Sequence, residues 1–214
     1  MKKLLLIVLI FSGWSCQQTS HTNPRKTTET ETIRNQKNEW QLNEDASTIY
    51  WTGYKTTDKI PVTGSFQKFK LTGIKTSPDL LKTIENARIH ILVNSIFSNE
   101  EIRDKKLVKY LFETMVGTEG IDARIEKIDK NNKTAQVNIY MNNIEKIIPM
   151  QIQTDEEKGK IILLGKINLI DDFKAEYSLN ALHQACYDLH TGKDGISKTW
   201  PEVAVKAELV FEKP

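Results

Sequence analysis

The chain has 214 residues, enough for one domain of roughly 100–200 residues with appendages, and its 30 basic against 28 acidic residues leave a formal charge of +2. That balance, at 27% charged residues, excludes both the basic field that nucleic-acid binding needs and the acidic run of a solvating tail. Two cysteines, Cys16 and Cys186, allow at most one disulfide. In chain order, Met1-Lys2-Lys3 is cationic and Leu4 to Phe11 is an unbroken apolar run. It falls short of the roughly 20 residues a bilayer span requires, and so reads as an export signal.

Ser12-Gly13-Trp14-Ser15-Cys16 closes that run with small residues around a bulky one, and resembles the lipobox of bacterial lipoproteins. The resemblance implies a signal peptide over 1–15, a lipid-modified Cys16 at the new N-terminus, and an exported protein held at the bacterial cell envelope, on the periplasmic side or in the outer membrane. Cys186 is then the sole remaining thiol, and stability has to come from a hydrophobic core. From Gln17 to Asn38 the chain is Thr, Gln, Asn, Glu and Lys with Pro24 and a single aliphatic residue, Ile33. Such a stretch buries too little surface to offset its ordering entropy, so 16–38 reads as a disordered tether and 39–214 as the folded domain.

The domain opens on a short strand at Glu39-Trp40-Gln41-Leu42, with a turn over Asn43 to Ser47. Ile49, Trp51 and Gly53, then Val62, Gly64 and Phe66, alternate with polar neighbours, which predicts a β-hairpin with one apolar side. Its connection, Thr56 to Pro61, is too long for a two-residue turn and predicts a mobile loop; Gly53 and Gly64 mark bends or close approaches. Ser77 as N-cap and Pro78 at the first helical position predict a short helix carrying Leu80, Leu81 and Ile84. Ala87, Ile89, Ile91 and Val93 form a strand face, and Asn99 can cap a helix from Glu100 to Glu113 that covers an opening or an edge. Strands follow at Ile121 to Ile125, Ala135 to Met141, Ile144 to Ile152 and Ile161 to Leu169, with Pro149 pointing to an edge or bulge. Ser178 caps a third helix to His190, and Val203 to Phe211 is the last strand. About eight one-sided strands joined by hairpin turns, with two or three short helices, fit a closed antiparallel barrel; a two-sheet sandwich fits the alternation nearly as well.

Taken together, Ile49-Tyr-Trp-Thr-Gly-Tyr-Lys55 leading to Pro61-Val-Thr-Gly-Ser-Phe66, then Ile102-Arg103-Asp104 with Leu107 and Leu111-Phe112, and Asp172-Phe173 after the Gly165 to Ile170 strand, resemble the YceI-like family of exported polyisoprenoid-binding proteins. The likeness runs from about Trp40 to Lys213. It implies an eight-stranded antiparallel lipocalin-like barrel with helical covers that holds an isoprenoid or other long-chain lipid in its lumen. Two departures, Asn142-Asn143-Ile144-Glu145-Lys146 and Tyr54-Lys55, bear on the ligand rather than on the fold.

A lipid chain needs a dry apolar cavity, and each buried methylene contributes about 0.8 kcal/mol, so no charged partner is required. Trp51, Phe66, Ile91, Val137, Ile139, Met150, Leu163, Ile167, Val205 and Leu209 fall on the inward faces and are the expected lining. The same side chains could equally fill a small barrel as core, which would leave an interaction domain without ligand. A rival site is His183, Cys186 and His190, three and seven residues apart on the third helix, with imidazole and thiolate suited to zinc or copper; a fourth local ligand is missing. Asp171-Asp172 and Glu100-Glu101 lack a nucleophile, base or oxyanion motif, so neither catalysis nor a cofactor is expected. The expected partners are therefore a long-chain lipid and, through Cys16, a membrane; a dimer is left open.

Overall fold

The computed structural model describes residues 38–117 and 119–214. The expected export signal 1–15, Cys16 and the tether up to residue 37 lie outside the described residues. Ten strands make one antiparallel sheet: β1 (Gln41–Lys55), β2 (Ile60–Phe66), β3 (Phe69–Thr72), β4 (Arg88–Leu92), β5 (Ile96–Phe97), β6 (Gly120–Asp129), β7 (Thr134–Met141), β8 (Ile144–Asp155), β9 (Lys160–Asn168) and β10 (Glu202–Glu212). Their order is β3-β4-β6-β7-β8-β9-β10-β1-β2-β5. Two helices, α1 (Glu101–Lys106), continued by a π-helical turn over Leu107–Phe112, and α2 (Glu176–Ala185), are joined by short 3-10 turns at Leu80–Ile84, Val93–Ser95 and Asp188–His190.

The ten strands replace the eight expected, for a local reason. Two of the long strands are each broken: β2 and β3 at Gln67-Lys68, and β4 and β5 by the 3-10 turn at Val93–Ser95. Backbone bonds from Gln67 N to the Ser95 carbonyl (3.0 Å) and from Leu92 N to the Lys68 carbonyl (3.0 Å) bridge the two breaks. The terminal strands of the sheet, β3 and β5, thus prolong β2 and β4, and the sheet curls around one interior.

Other boundaries move with equally specific causes. The turn expected over Asn43 to Ser47 is an irregularity inside β1, where pairing with β10 slips between Asn43 and Thr48 and the Ser47 hydroxyl donates to the Asn43 carbonyl (2.8 Å). The expected mobile loop is a tight turn: Thr56 and Lys59 adopt positive φ (58° and 56°), and Lys59 N donates to the Thr56 carbonyl at 3.1 Å. Asp79, not Ser77, caps the Leu80–Ile84 turn by accepting from Leu81 N and Lys82 N. Glu100 rather than Asn99 caps α1, and Ser178 is buried inside α2, which begins after Ala175 with no side-chain cap. Pro149 sits in β8 opposite Gln136, just short of the β8–β9 pairing that starts at Gln151, so its missing N–H interrupts no pairing there.

Alternation along the strands sets the interior. Ala135, Val137, Ile139 and Met141 on β7, and Ile148, Met150 and Ile152 on β8, are buried while most of their neighbours are not. Gly64 is the close approach that its place in a strand implied: a Cβ there would lie 2.4 Å from the Trp51 indole and 2.5 Å from the Phe97 carbonyl oxygen. Gly53 has open space around it instead. At one end the first described residues, the Pro214 end and the segment leading into the Leu80–Ile84 turn gather around β1 paired with β10, with Gln41 opposite Glu212 and Trp40 bridged to Ser77. α1, the π turn and α2 follow strand ends at the other. No helix among the described residues is long and apolar enough to cross a membrane.

Candidate functional site

The interior is filled at one end and hollow at the other. Around Ile125, Ile161, Leu163 and Leu209, each at most 1% exposed, the interior is packed with side chains. Toward the helical end a cavity of about 280 Å³ remains. Its strand wall carries Trp51, Phe66, Ile167 and Val205, and its helical wall Leu107, Leu111 and Phe112 from the π turn with Leu179, Leu182 and Cys186 from α2.

Local sequence explains each wall. Leu179, Leu182 and Cys186 recur at three and four residues, one stripe of a helix, and all three are buried. In the π turn Glu113 N reaches the Val108 carbonyl at 2.9 Å, and Leu111 and Phe112 are buried side by side. Phe112 meets Phe66 edge to face with ring centroids 6.3 Å apart, which joins helical cover to strand wall. Arg103 and Asp104 anchor α1 to the end of β5. The Arg103 Nε–H donates to the Ser98 hydroxyl at 2.8 Å, and Ser98 donates through N (3.1 Å) and hydroxyl to the Asp104 carboxylate. Across the mouth, the Trp200 Nε1–H donates to the Thr56 carbonyl at 2.8 Å, and Lys59 lies 4.5 Å from the centre of the Trp200 ring.

Of the ten residues expected to line a lumen, Trp51, Phe66, Ile167 and Val205 do so. Ile91, Val137, Ile139, Met150, Leu163 and Leu209 are buried in the packed interior away from the cavity. Alternation marks an inward side chain but carries no information on how far along the strand the filling stops. For the helical lining the sequence signal is weaker still: Leu179, Leu182 and Cys186 share one helical stripe and Leu111-Phe112 belong to the α1 cover, and neither pattern says that it faces a hollow.

His183, Cys186 and His190 do not converge. Among the described residues no group of three His, Cys, Asp or Glu side chains could hold a metal ion, which corrects the rival reading. α2 ends at Ala185 and His190 follows in the 3-10 turn at Asp188–His190, its backbone N–H donating to the Cys186 carbonyl at 2.9 Å. The two imidazoles meet instead at the Thr199 hydroxyl, with Nδ1 of His183 at 3.0 Å and Nδ1 of His190 at 2.6 Å. That oxygen has one proton, so it donates to one ring and accepts from the other. Burial, then the charges of Lys55, His183 and Lys106, hold His190 well below the usual 6.5, at about 4. Burial also pushes the Cys186 thiol up, against the opposing pull of Lys106 and Lys55. A protonated thiol beside apolar side chains is a wall residue, since metal ligation takes the thiolate. One polar atom in the apolar wall lacks a mate: the Trp51 Nε1–H is buried with no hydrogen-bond partner among the described residues.

No protein-family model matches the sequence, and neither does any curated protein. Among solved structures, a polyisoprenoid-binding domain from Saccharophagus degradans implicated in plant cell wall breakdown superposes with a TM-score of 0.59 at 17% identity, over 82% of this chain and 98% of its own. BcnA of Burkholderia cenocepacia gives a TM-score of 0.54 at 14% identity, over 79% of this chain and 99% of its own. A weaker likeness, TM-score 0.46 at 16% identity over 72% of this chain and 86% of the other, is to the YCEI protein of Campylobacter jejuni. The fold, a curled antiparallel sheet with helical covers, is shared with the polyisoprenoid-binding domain and with BcnA.

Proposed function

We propose that this chain, built on a fold it shares with a polyisoprenoid-binding domain, is an envelope-anchored carrier. It holds the apolar chain of a lipid in an eight-stranded lipocalin-like barrel, with β2–β3 and β4–β5 each counting as one broken strand. The observation that carries the reading is the cavity of about 280 Å³ walled by Trp51, Phe66, Phe112, Leu182 and Val205. Removing apolar surface from water at about 25 cal/mol per Å² retains a hydrocarbon without any covalent or ionic bond. Of the reactive groups lining the cavity, Cys186 is held as a thiol by burial and His190 is engaged at the Thr199 hydroxyl, so retention rather than turnover is the chemistry the site suits.

Size narrows the ligand. Pockets that enclose small molecules span about 300–1,000 Å³, and this cavity lies at the lower edge. It takes a short chain whole or one segment of a long isoprenoid, whose remainder would leave through the mouth between α1 and the Thr56–Lys59 turn. Anchoring through an acylated Cys16, on the extracytoplasmic side of a bacterial envelope, is part of the same proposal and rests on the lipobox-like leader.

Mass spectrometry of organic extracts from gently purified full-length protein tests both parts. The expected result is a co-purifying isoprenoid or acyl species, and an acyl mass on the N-terminal peptide beginning at Cys16. Extracts without lipid, together with no uptake of an added fatty acid or isoprenoid alcohol, would count against carriage; an unmodified Cys16 would count against the anchor.

A further inference from the structure

The rim of the cavity carries charge that its wall lacks. Lys55 at the end of β1, and Arg103 and Lys106 on α1, all line the mouth. Each is held by neutral groups. The Lys55 Nζ donates to the Leu189 carbonyl at 3.3 Å, the Lys106 Nζ to the Ala185 carbonyl at 2.8 Å, and Arg103 to the hydroxyl and carbonyl of Ser98 at 2.8 and 3.3 Å.

Among the described residues none of the three pairs with a carboxylate, although pairing is common elsewhere, as with Lys59 and Glu202 (3.4 Å) or Lys105 and Glu101 (2.6 Å). The one acid lining the mouth, Glu100, is engaged, accepting from Ile102 N (3.1 Å) and Arg103 N (3.0 Å) as the cap of α1. Asp104, the next acid on that helix, is bound to Ser98. In a chain with 28 acidic residues for 30 basic ones, three cations that form no ion pair, lining one opening with a single acid, stand out. An ammonium offers three donors, and Lys55 and Lys106 each use one, which leaves two on each for an occupant. His190, its pKa held down by burial and then by Lys55, His183 and Lys106, stays neutral at pH 7, so the charge at the rim comes from the lysines and Arg103.

We propose that the occupant is an anionic amphiphile: a lipid chain ending in a carboxylate or phosphate, with its anionic oxygens at the rim on Lys55 and Lys106 and its chain between Phe66, Phe112 and Leu182. Arg103, fixed by Ser98, adds to the field at the rim. The inference rests on the carrier reading above and specifies the polar end of its ligand. Three positive charges at the edge of an apolar wall steer an anion and hold it with charge-assisted bonds stronger than those of a neutral head.

Trp51 and Trp200 both line the cavity, so their fluorescence reports occupancy. Laurate, methyl laurate, acetate and inorganic phosphate are titrated into the full chain, into the Lys55→Gln/Lys106→Gln variant, and into Lys105→Gln as a control from the outer side of α1. Laurate is expected to bind at least about tenfold tighter than its methyl ester, because a charged hydrogen bond is worth that much. The gap should close in the double variant and persist in the control, with acetate and phosphate displacing neither probe. Equal affinity for acid and ester, or a gap that survives the double substitution, overturns the headgroup assignment while leaving carriage intact. If neither laurate nor its ester binds, carriage itself falls, and the headgroup with it. Displacement of laurate by phosphate or acetate at equal concentration would mean a free-anion site and overturn the amphiphile. Salt on the wild type gives an independent reading should the double variant fold poorly: rising ionic strength must weaken laurate and spare the ester. An equal response of both overturns the proposal.

Discussion

Thr199 gathers the two histidines that an unbroken helix from Ser178 to His190 would place beside Cys186. The consequence is a pH dependence with a definite sign. His190 titrates near 4 in the folded chain and near 6.5 when unfolded. Between those values the unfolded chain takes up a proton that the folded one refuses, so its contribution to stability is complete above pH 6.5 and drains away as the pH falls toward 4. Partial solvent exposure discounts the effect to about 1–2 kcal/mol. Urea midpoints of wild type and His190→Asn should diverge at pH 7 and approach each other near pH 4.5; parallel curves would refute the assignment. What hid this pair in the sequence is chain direction. Periodicity places His183 and Cys186 on one helical face correctly, yet gives no warning that the helix stops at Ala185. By contrast Gly64 was legible, because a glycine inside a strand pattern has few uses other than admitting a neighbour such as the Trp51 indole.

Among the elements, α1 with its π turn controls the opening, and its position is set by a short polar knot. Ser98, Arg103 and Asp104 satisfy one another at the point where β5 hands over to the helix. Asp104→Ala leaves Ser98 without its acceptor and should cost about 1–2 kcal/mol. It should also raise amide hydrogen exchange over 101–112 well before the sheet exchanges. Uniform destabilisation of sheet and helix alike would show that the knot holds the whole fold and not the cover. The Arg-Asp pair with Leu107 and Leu111-Phe112 was readable as a motif, and so was a helix that covers an opening. Cap residues were less legible: Asp79 accepts from Leu81 N and Lys82 N through one carboxylate oxygen while the other takes Lys130, and Glu100 divides its two oxygens between Ile102 N and Arg103 N, so carboxylates cap where Ser77 and Asn99 were expected. The breaks that turn eight strands into ten do leave a mark: the buried positions change parity across each, from Phe66 to Leu71 and from Ile91 to Ile96, a one-residue slip in the alternation.

At the scale of the molecule the fold depends on joining its first strand to its last. β10 lies between β1 and β9, Leu42 opposite Phe211 and Leu209 opposite Ile161. A chain ending at Glu202 loses the partner of both neighbours and exposes the interior along their length. Circular dichroism should then show loss of the cooperative transition, and a folded two-state truncation would contradict the closed-interior description. One-sided strands foretold the curl; the extent of filling depends on side-chain volumes meeting across the interior, a non-local sum that strand-by-strand reading does not perform. The same geometry fixes a direction. Residue 38 and Pro214 both leave from the filled end, opposite the rim. For a body attached through residue 38, the rim would lie on the far side from the attachment, so cargo passing to or from a support would require the body to turn.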